Sequence, residues 1–316
     1  MRSLSVPASI CIALIFTCAF ADSAAAEPFI GQFEPKTLES EPGSFEFQSQ
    51  NAWSWNQPAR RIENDDTNGF LADENSVTRE RYALELEIGL TNFVKTRIGI
   101  EFEKERIDEP LTIAQANDFD ELKLAEIGAE VIAVLLPRNG DGAGVGFVAE
   151  IEGPVDQEEA NHFVLGTIVE FRSGSWFAAA VPMVVHSFGG DTEDAESVDD
   201  KWDFAYAAQI RYDFSERWSL ALEGYGTVER LGASGHPSDS AELFGDFDQH
   251  RAGPVVYFTH TFDVAQPKRR AWQGSALLSD PAEEEGKSLT VGVGLLAGLN
   301  GNTADHTLKL SVEVQF

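Results

Sequence analysis

The sequence predicts an all-β chain that closes into an antiparallel transmembrane β-barrel of about twelve strands. In the segment 307–316, apolar and polar side chains alternate without interruption up to the final residue. A period of two places every second side chain on one face of a sheet, so this strand has an apolar wall and a polar wall. The same alternation recurs along most of the chain. In a bilayer, one chain can expose an apolar wall to lipid and a polar wall to water only as a closed barrel.

The first 26 residues are predicted to form a cleaved signal peptide. Arg2 precedes the apolar stretch 10–21, and Ala24 and Ala26 have the spacing that signal peptidases recognise. The apolar stretch holds only about a dozen residues, whereas a helix needs roughly twenty to cross the hydrocarbon core. The stretch therefore indicates export rather than a membrane anchor.

The composition excludes two classes of protein. The chain carries 23 Lys and Arg against 53 Asp and Glu, a net charge of -30, and this charge repels nucleic acid. Cys11 and Cys18 both lie in the predicted signal, so the mature chain has no disulfide and no Cys-ligated zinc. Attachment of lipid at Cys18 is disfavoured because bulky Phe16 and Thr17 precede it.

The mature chain divides into a short lead-in and one barrel domain. Residues 27–42 contain Pro and Glu without periodicity, and we expect them to be a periplasmic N-terminal lead-in. Residues 43–316 are predicted to be the outer-membrane β-barrel. Its strand candidates, each defined by alternation, are 45–55, 81–90, 94–103, 126–135, 145–152, 162–172, 176–186, 202–214, 218–223, 254–262, 289–299 and 307–316.

Connection lengths support this division for the first nine strands. In a barrel that starts in the periplasm, long outer loops alternate with short inner turns. The long connections are 56–76, 104–120 and 187–201, and the short ones are 91–92, 137–142, 173–175 and 215–217.

The alternation of lengths then breaks. The connection 263–287 is long where a short turn is expected, and 300–305 is short where a loop is expected. Either this inner connection is unusually long, or strands near 241–247 or 270–278 raise the number to fourteen.

The polar rows supply the candidate functional residues. If the apolar rows face lipid, the opposite rows face inward, and carboxylates and cations share the lumen. The resulting lumen-lining candidates are Glu85, Glu87, Lys95, Arg97, Glu101, Glu103, Glu126, Glu130, Glu150, Glu152, Glu170, Arg172, Arg211, Glu223, Lys309 and Glu313. Two interpretations remain open: a salt-bridged filling that stiffens a closed barrel, and a polar pore whose wall charge selects the solute.

No metal or cofactor site is predicted. The six histidines lack metal-ligating spacing. The glycines of the range 139–146 lack the Lys-Ser/Thr of a nucleotide loop, so we interpret them as a turn with Asn139–Gly140 at its corner. The acidic loop 191–200 lacks the spacing of a calcium loop and is interpreted as solvated.

An enzyme is disfavoured. His236 and Ser238 lie in a loop rich in Gly, Pro and Ser, and nothing in the sequence enforces the hydrogen-bond geometry of a nucleophile and its base.

These features together resemble Gram-negative outer-membrane β-barrel proteins. The resemblance rests on the signal, the Cys-free mature chain, the alternating strands with aromatic ends and the terminal Phe316. The segment 306–316 looks like the last-strand signal of that class, which the barrel-assembly machinery reads, so Phe316 is the expected assembly signal. The resemblance further implies a location in the outer membrane and contact with lipid and lipopolysaccharide.

The predicted function is passive passage of small polar or cationic solutes through an acidic lumen. The alternatives are a structural or adhesive barrel with a blocked lumen, an outer-membrane lipid hydrolase and, for the fold, a soluble secreted β-sandwich. The strand around Arg251 to Tyr257 and the basic run 268–270 are candidates for positioning a plug.

Overall fold

The computed structural model describes twelve β-strands. It covers residues 35–61, 71–108, 122–138, 140–155, 160–189, 201–228, 231, 234, 249–262, 287–301 and 303–316. The strands are β1 (Phe45–Arg61), β2 (Leu71–Thr91), β3 (Val94–Ile107), β4 (Lys123–Leu136), β5 (Gly142–Pro154), β6 (Asn161–Ser173), β7 (Trp176–Phe188), β8 (Lys201–Asp213), β9 (Trp218–Val228), β10 (Gln249–Thr261), β11 (Ser288–Gly298) and β12 (His306–Gln315). Among these residues no helix is both long and apolar enough to cross a membrane.

The strands form one closed antiparallel barrel. Each strand pairs with its neighbours in sequence, and β1 closes the ring on β12 from Glu46 opposite Gln315 to Trp55 opposite His306. The predicted fold is confirmed. The fourteen-strand alternative is wrong for this ring, because β10 pairs directly with β9 and with β11.

The two ends of the barrel differ in their connections. At one end, called the short-turn end, the strands are joined by the connections 92–93, 137–141, 174–175 and 214–217. The connection 262–287 starts and finishes at the same end, because β10 and β11 are paired neighbours in the ring. It is therefore a long connection at the short-turn end, and the predicted alternation of long loops with short turns fails there.

The alternation along each strand separates a lipid-type wall from an interior wall. On β8, Trp202 and Ile210 are 41% and 51% exposed, whereas Asp203 and Gln209 on the opposite face are buried. An exposed apolar wall with buried polar side chains behind it is the reverse of a soluble sheet, and it is typical of a barrel whose outside contacts hydrocarbon.

Three regions differ from the sequence-based expectation. The first predicted outer loop, 56–76, is shorter, because β1 continues to Arg61 and β2 begins at Leu71. Beyond the bilayer a strand needs no apolar wall, so alternation no longer marks it.

The second region is β7, whose inward face is apolar where the sequence predicts polar inward rows. Phe177, Val181 and Met183 are buried there, so the alternation along this strand is weak.

The predicted lead-in is the third region. Residues 35–44, called the N-terminal segment, run into the barrel at the short-turn end, where the N–H of Gly43 donates to the carbonyl of Gly89 over 2.7 Å. Lys36 and Leu38 are 1% and 5% exposed. A chain without periodicity carries no sign of such burial, so the sequence did not indicate it.

A charge placed on the outer wall tests the orientation of the barrel. Leu222, in the middle of β9, is 59% exposed, and Leu299, just beyond β11, is 63% exposed. If lipid covers this wall, Leu222→Arg lowers the free energy of unfolding by about 2–4 kcal/mol and Leu299→Arg by about 0–1 kcal/mol. Urea unfolding of the protein in phospholipid vesicles, followed by tryptophan fluorescence, measures both. Equal, small effects of the two substitutions would contradict a membrane-spanning orientation.

Candidate functional site: the barrel interior

The structure places every predicted lumen-lining side chain on the interior face. Those with less than a tenth of their surface exposed are Glu85, Glu87, Lys95, Arg97, Glu101, Glu130, Glu152, Glu170, Glu223 and Lys309. The partly exposed ones are Glu103, Glu126, Glu150, Arg172, Arg211 and Glu313. Their part in the passage of a solute stays a prediction.

Paired charges line the side of the interior formed by β2 and β3. The Arg97 guanidinium lies 3.3 Å from a carboxylate oxygen of Glu85 and 2.9 Å from one of Glu87, and the Lys95 ammonium lies 2.9 Å from the other oxygen of Glu87. Carboxylates on β2 face cations on β3 because the antiparallel register sets Glu87 opposite Arg97. These pairs satisfy buried charges and fix the side chains against the wall.

A second group of pairs lies nearer the end of the barrel opposite the short-turn end, called the loop end. Arg79 lies 3.0 Å from Glu103 and 2.9 Å from Glu105, and Arg81 lies 2.9 Å from Glu103. Sequence analysis did not predict Arg79, although the period of two places it on the same face as Glu85 and Glu87.

A central cluster is built around Glu223, which has no exposed surface. Its carboxylate accepts hydrogen bonds from the Lys309 ammonium over 2.7 Å, from the Gln209 amide over 2.6 Å, and from the hydroxyls of Tyr225 and Tyr257. Lys309 also donates to the Tyr225 hydroxyl over 2.8 Å. Four donors to one carboxylate stabilise the charged form in the interior and tie β8, β9, β10 and β12 together.

Lys309 reaches this cluster across two strands. Between β12 and β9 the wall carries the glycines of β10 and β11, among them Gly292 and Gly294. A Cβ at Gly294 would lie 2.5 Å from a methyl carbon of Val255, so a side chain there would have to displace Val255. Sequence analysis did not predict Gln209, Tyr225 or Tyr257 as partners, because the pairing of strands that are distant in sequence is not visible in alternation.

An acidic pocket lies on the side formed by β3, β4 and β5. The register sets Glu101 opposite Glu126 and Glu130 opposite Glu150. These four residues, with Glu85, Glu152 and Arg97, line a cavity of about 30 Å³. Glu152 is 7% exposed, and its Oε2 accepts no hydrogen bond from any part of the chain that the structure describes.

The N-terminal segment lies against this side of the wall. The Lys36 ammonium pairs with the carboxylates of Glu130 and Glu150, at 3.0 Å from Glu150. The Leu38 amide donates to a Glu170 carboxylate oxygen over 2.6 Å. Arg138 joins the two, since its guanidinium lies 3.3 Å from Glu170 and 2.8 Å from Glu39 of the segment.

Two glycines of the strand wall leave the space that the Leu38 side chain occupies. A Cβ added at Gly144 would lie 2.9 Å from one terminal methyl of Leu38, and one added at Gly146 would lie 2.5 Å from the other. Both glycines belong to β5, so the interpretation of the glycine run as a turn is wrong for them, although the predicted strand 145–152 already included Gly146. The turn itself contains Gly140, with a φ of 70° that favours glycine, and Asn139 lies outside the described residues.

A large cavity opens at the short-turn end. It measures about 1060 Å³ and is bordered by the N-terminal segment on one side and by strand walls on the other. Hydroxyl-bearing side chains of β9 to β12 line much of it: Ser219, Thr259, Thr261, Ser288, Thr290 and Ser311. A volume of this size and polarity accommodates a small hydrated solute.

Several sequence-based candidates lie outside the described residues. These are the signal peptide 1–26, the acidic loop 191–200, the pair His236 and Ser238, and the basic run 268–270. Within the residues that are described, no three His, Asp, Glu or Cys side chains are arranged to hold a metal ion. Arg251, on the strand considered for a plug, donates to Thr307 over 3.1 Å within the wall.

Comparison with known proteins assigns the fold class. No protein-family model and no curated sequence matches the chain. An outer membrane channel from Pseudomonas putida F1 is similar in structure, with a TM-score of 0.54 and 15% identity over 90% of this chain and 99% of that chain. The KdgM porin (TM-score 0.40, 9% identity, 86% and 98% covered) and a FadL homologue from Pseudomonas aeruginosa (0.36, 8%, 90% and 94%) match more weakly. The fold is that of an outer-membrane β-barrel protein.

Removing Lys309 tests whether the central cluster stabilises the barrel. Lys309→Met leaves the buried Glu223 carboxylate without its cation, and we expect it to lower the free energy of unfolding by about 3–5 kcal/mol. Adding Glu223→Gln removes the unpaired charge and restores part of that loss.

Arg172→Met is the matched control for this prediction. Its pair with Asp213, at 2.6 Å, is 30% and 24% exposed, so the expected loss is about 0–1 kcal/mol. Urea unfolding in vesicles measures all three variants. A Lys309→Met effect as small as that of Arg172→Met would contradict the stabilising role of the cluster.

Proposed function

We propose that the protein is an outer-membrane channel for small polar or cationic solutes. The observation that carries this proposal is the unequal charge of the interior beside the acidic pocket. The lining of that pocket contains six glutamates, among them Glu101, Glu126 and Glu152, and one cation, Arg97. Arg81 and Lys36 add positive charge beside it, through their pairs with Glu101 and with Glu130 and Glu150. An excess of negative charge on the wall of a low-dielectric barrel concentrates cations and repels anions.

The large cavity supports the same proposal. Its lining offers hydroxyl and carboxylate groups for hydrogen bonds, and it contains eight acidic side chains, among them Glu46 and Glu313, against four basic ones. A solute that enters at the short-turn end therefore meets a polar, acidic surface before it reaches the barrel centre.

The same proposal includes location and partners. The outward apolar wall fits membrane lipid, and the loop end fits the lipopolysaccharide side of an outer membrane. Phe316 is 61% exposed, and its N–H donates to the carbonyl of Phe45 over 2.9 Å at the seam where β1 meets β12. An exposed aromatic residue at the closing seam is where barrel-assembly machinery would bind the last strand.

A second candidate is a barrel with a blocked lumen and a structural role. It is favoured by the apolar cluster of the interior, in which Ile132, Ile168 and Leu296 have no exposed surface. If these side chains stay packed in the membrane, ions cannot pass the middle of the barrel.

Conductance in planar bilayers tests the channel. With a salt gradient across the bilayer, we expect single-channel currents whose reversal potential shows cation preference. Glu101→Gln with Glu126→Gln removes two interior charges and shifts that potential towards zero.

Glu80→Gln serves as the matched control for the selectivity measurement. Glu80 accepts a hydrogen bond from Tyr82 on the outer face of β2, so its loss leaves the interior charge and the reversal potential unchanged. Absence of conductance would support the blocked barrel, and anion preference would contradict the proposal.

A further inference from the structure

The N-terminal segment is docked in the interior like a bound peptide. Between Pro35 and Ser40 it pairs with no strand. It is held instead by individual contacts of Lys36, of the Leu38 amide and of Glu39. Lys36 and Leu38 are buried against the strand wall, and Thr37, Leu38 and Glu39 border the large cavity. The segment therefore lies between the large cavity and the acidic pocket.

The place occupied by Lys36 has the properties of an ammonium site. Glu130 and Glu150 are register partners on the neighbouring strands β4 and β5. Two carboxylates on such directly opposed positions repel each other unless a cation lies between them. The Lys36 ammonium lies between them and is 1% exposed. A primary ammonium has three N–H donors, so it matches a group of several carboxylate acceptors.

A third acceptor remains at the same place. Glu152 lines the acidic pocket together with Glu130 and Glu150, is 7% exposed, and has an Oε2 without a hydrogen-bond partner in the described part of the chain. A buried carboxylate oxygen without a donor is costly, and a ligand that supplies an N–H removes that cost.

We propose that Glu130, Glu150 and Glu152 form a binding site for the primary ammonium group of a solute, and that Lys36 occupies this site when no solute is bound. Solute and segment then exclude each other, so binding of an alkylammonium releases the segment from the wall beside the large cavity. The inference rests on the proposed function, because it names the chemical class of solute that this acidic interior recognises.

Calorimetric titration of the full chain in nanodiscs with n-butylammonium tests the site directly. Lys36→Met removes the resident ammonium. If the segment is docked about nine-tenths of the time, the wild type binds butylammonium about tenfold more weakly than Lys36→Met. Tetramethylammonium carries the same charge without N–H donors, and we expect no measurable binding of it.

A second variant guards against failure of the first to fold. Leu38→Asp places a carboxylate beside Glu170 and expels the segment, with Lys36, from an unchanged strand wall. Heat-modifiable gel mobility shows which variants are folded. Folded Leu38→Asp binds butylammonium as tightly as Lys36→Met is expected to.

Combined substitutions locate the bound ammonium. Adding Glu130→Gln and Glu150→Gln to Lys36→Met or to Leu38→Asp abolishes binding, whereas adding Glu80→Gln, on the outer face of β2, preserves it. The inference is overturned if folded variants bind no more tightly than the wild type, if tetramethylammonium binds equally, or if binding survives loss of both glutamates.

The calorimetric result is independent of conductance. Ammonium binding in a barrel that passes no current would defeat the proposed channel and leave the site intact. Cation-selective current without ammonium binding would defeat the site and leave the channel intact.

Discussion

The fold depends on one constraint: inside a bilayer, every backbone N–H and C=O must find its partner within the protein. For strands, only a ring without edges satisfies this requirement. The ladder between β1 and β12, which begins at Glu46 opposite Gln315, therefore determines the whole architecture. Once the ring is closed, each strand has one wall in hydrocarbon and one in the interior, and the rest of the structure follows from how the interior accommodates polar side chains.

The interior accommodates its polar and charged side chains in different ways around its circumference. Pairs between β2 and β3 neutralise charge locally, and the cluster at Glu223 surrounds one carboxylate with four donors. The face of β7 avoids charge altogether, with Val181 and Met183 in an apolar cluster. On the side of β4 and β5, part of the neutralising charge comes from Lys36, outside the strands.

The sequence predicted the features that a period of two encodes. The walls of β8, the inward direction of glutamates such as Glu101 and Glu130, and the closed ring all follow from alternation and the need to close. It did not predict the extension of β1 and β2 beyond the bilayer, where no apolar wall is required. The cluster of Lys309 with Glu223 depends on which strands are neighbours in the ring, and alternation does not show this. The docking of Leu38 on Gly144 and Gly146 depends on contacts that produce no periodic pattern in the sequence.

The central claim is that lipid covers the outside of the barrel while water reaches the cavity at its short-turn end. Collision of spin labels with oxygen and with a water-soluble nickel chelate measures this directly, in a chain whose two cysteines, Cys11 and Cys18, lie in the predicted signal. Labels at Leu220 and Leu222 are expected to collide with oxygen from the lipid, and labels at Ser219 and Thr259 with the chelate. Equal collision of both pairs with the chelate would contradict the membrane-spanning barrel.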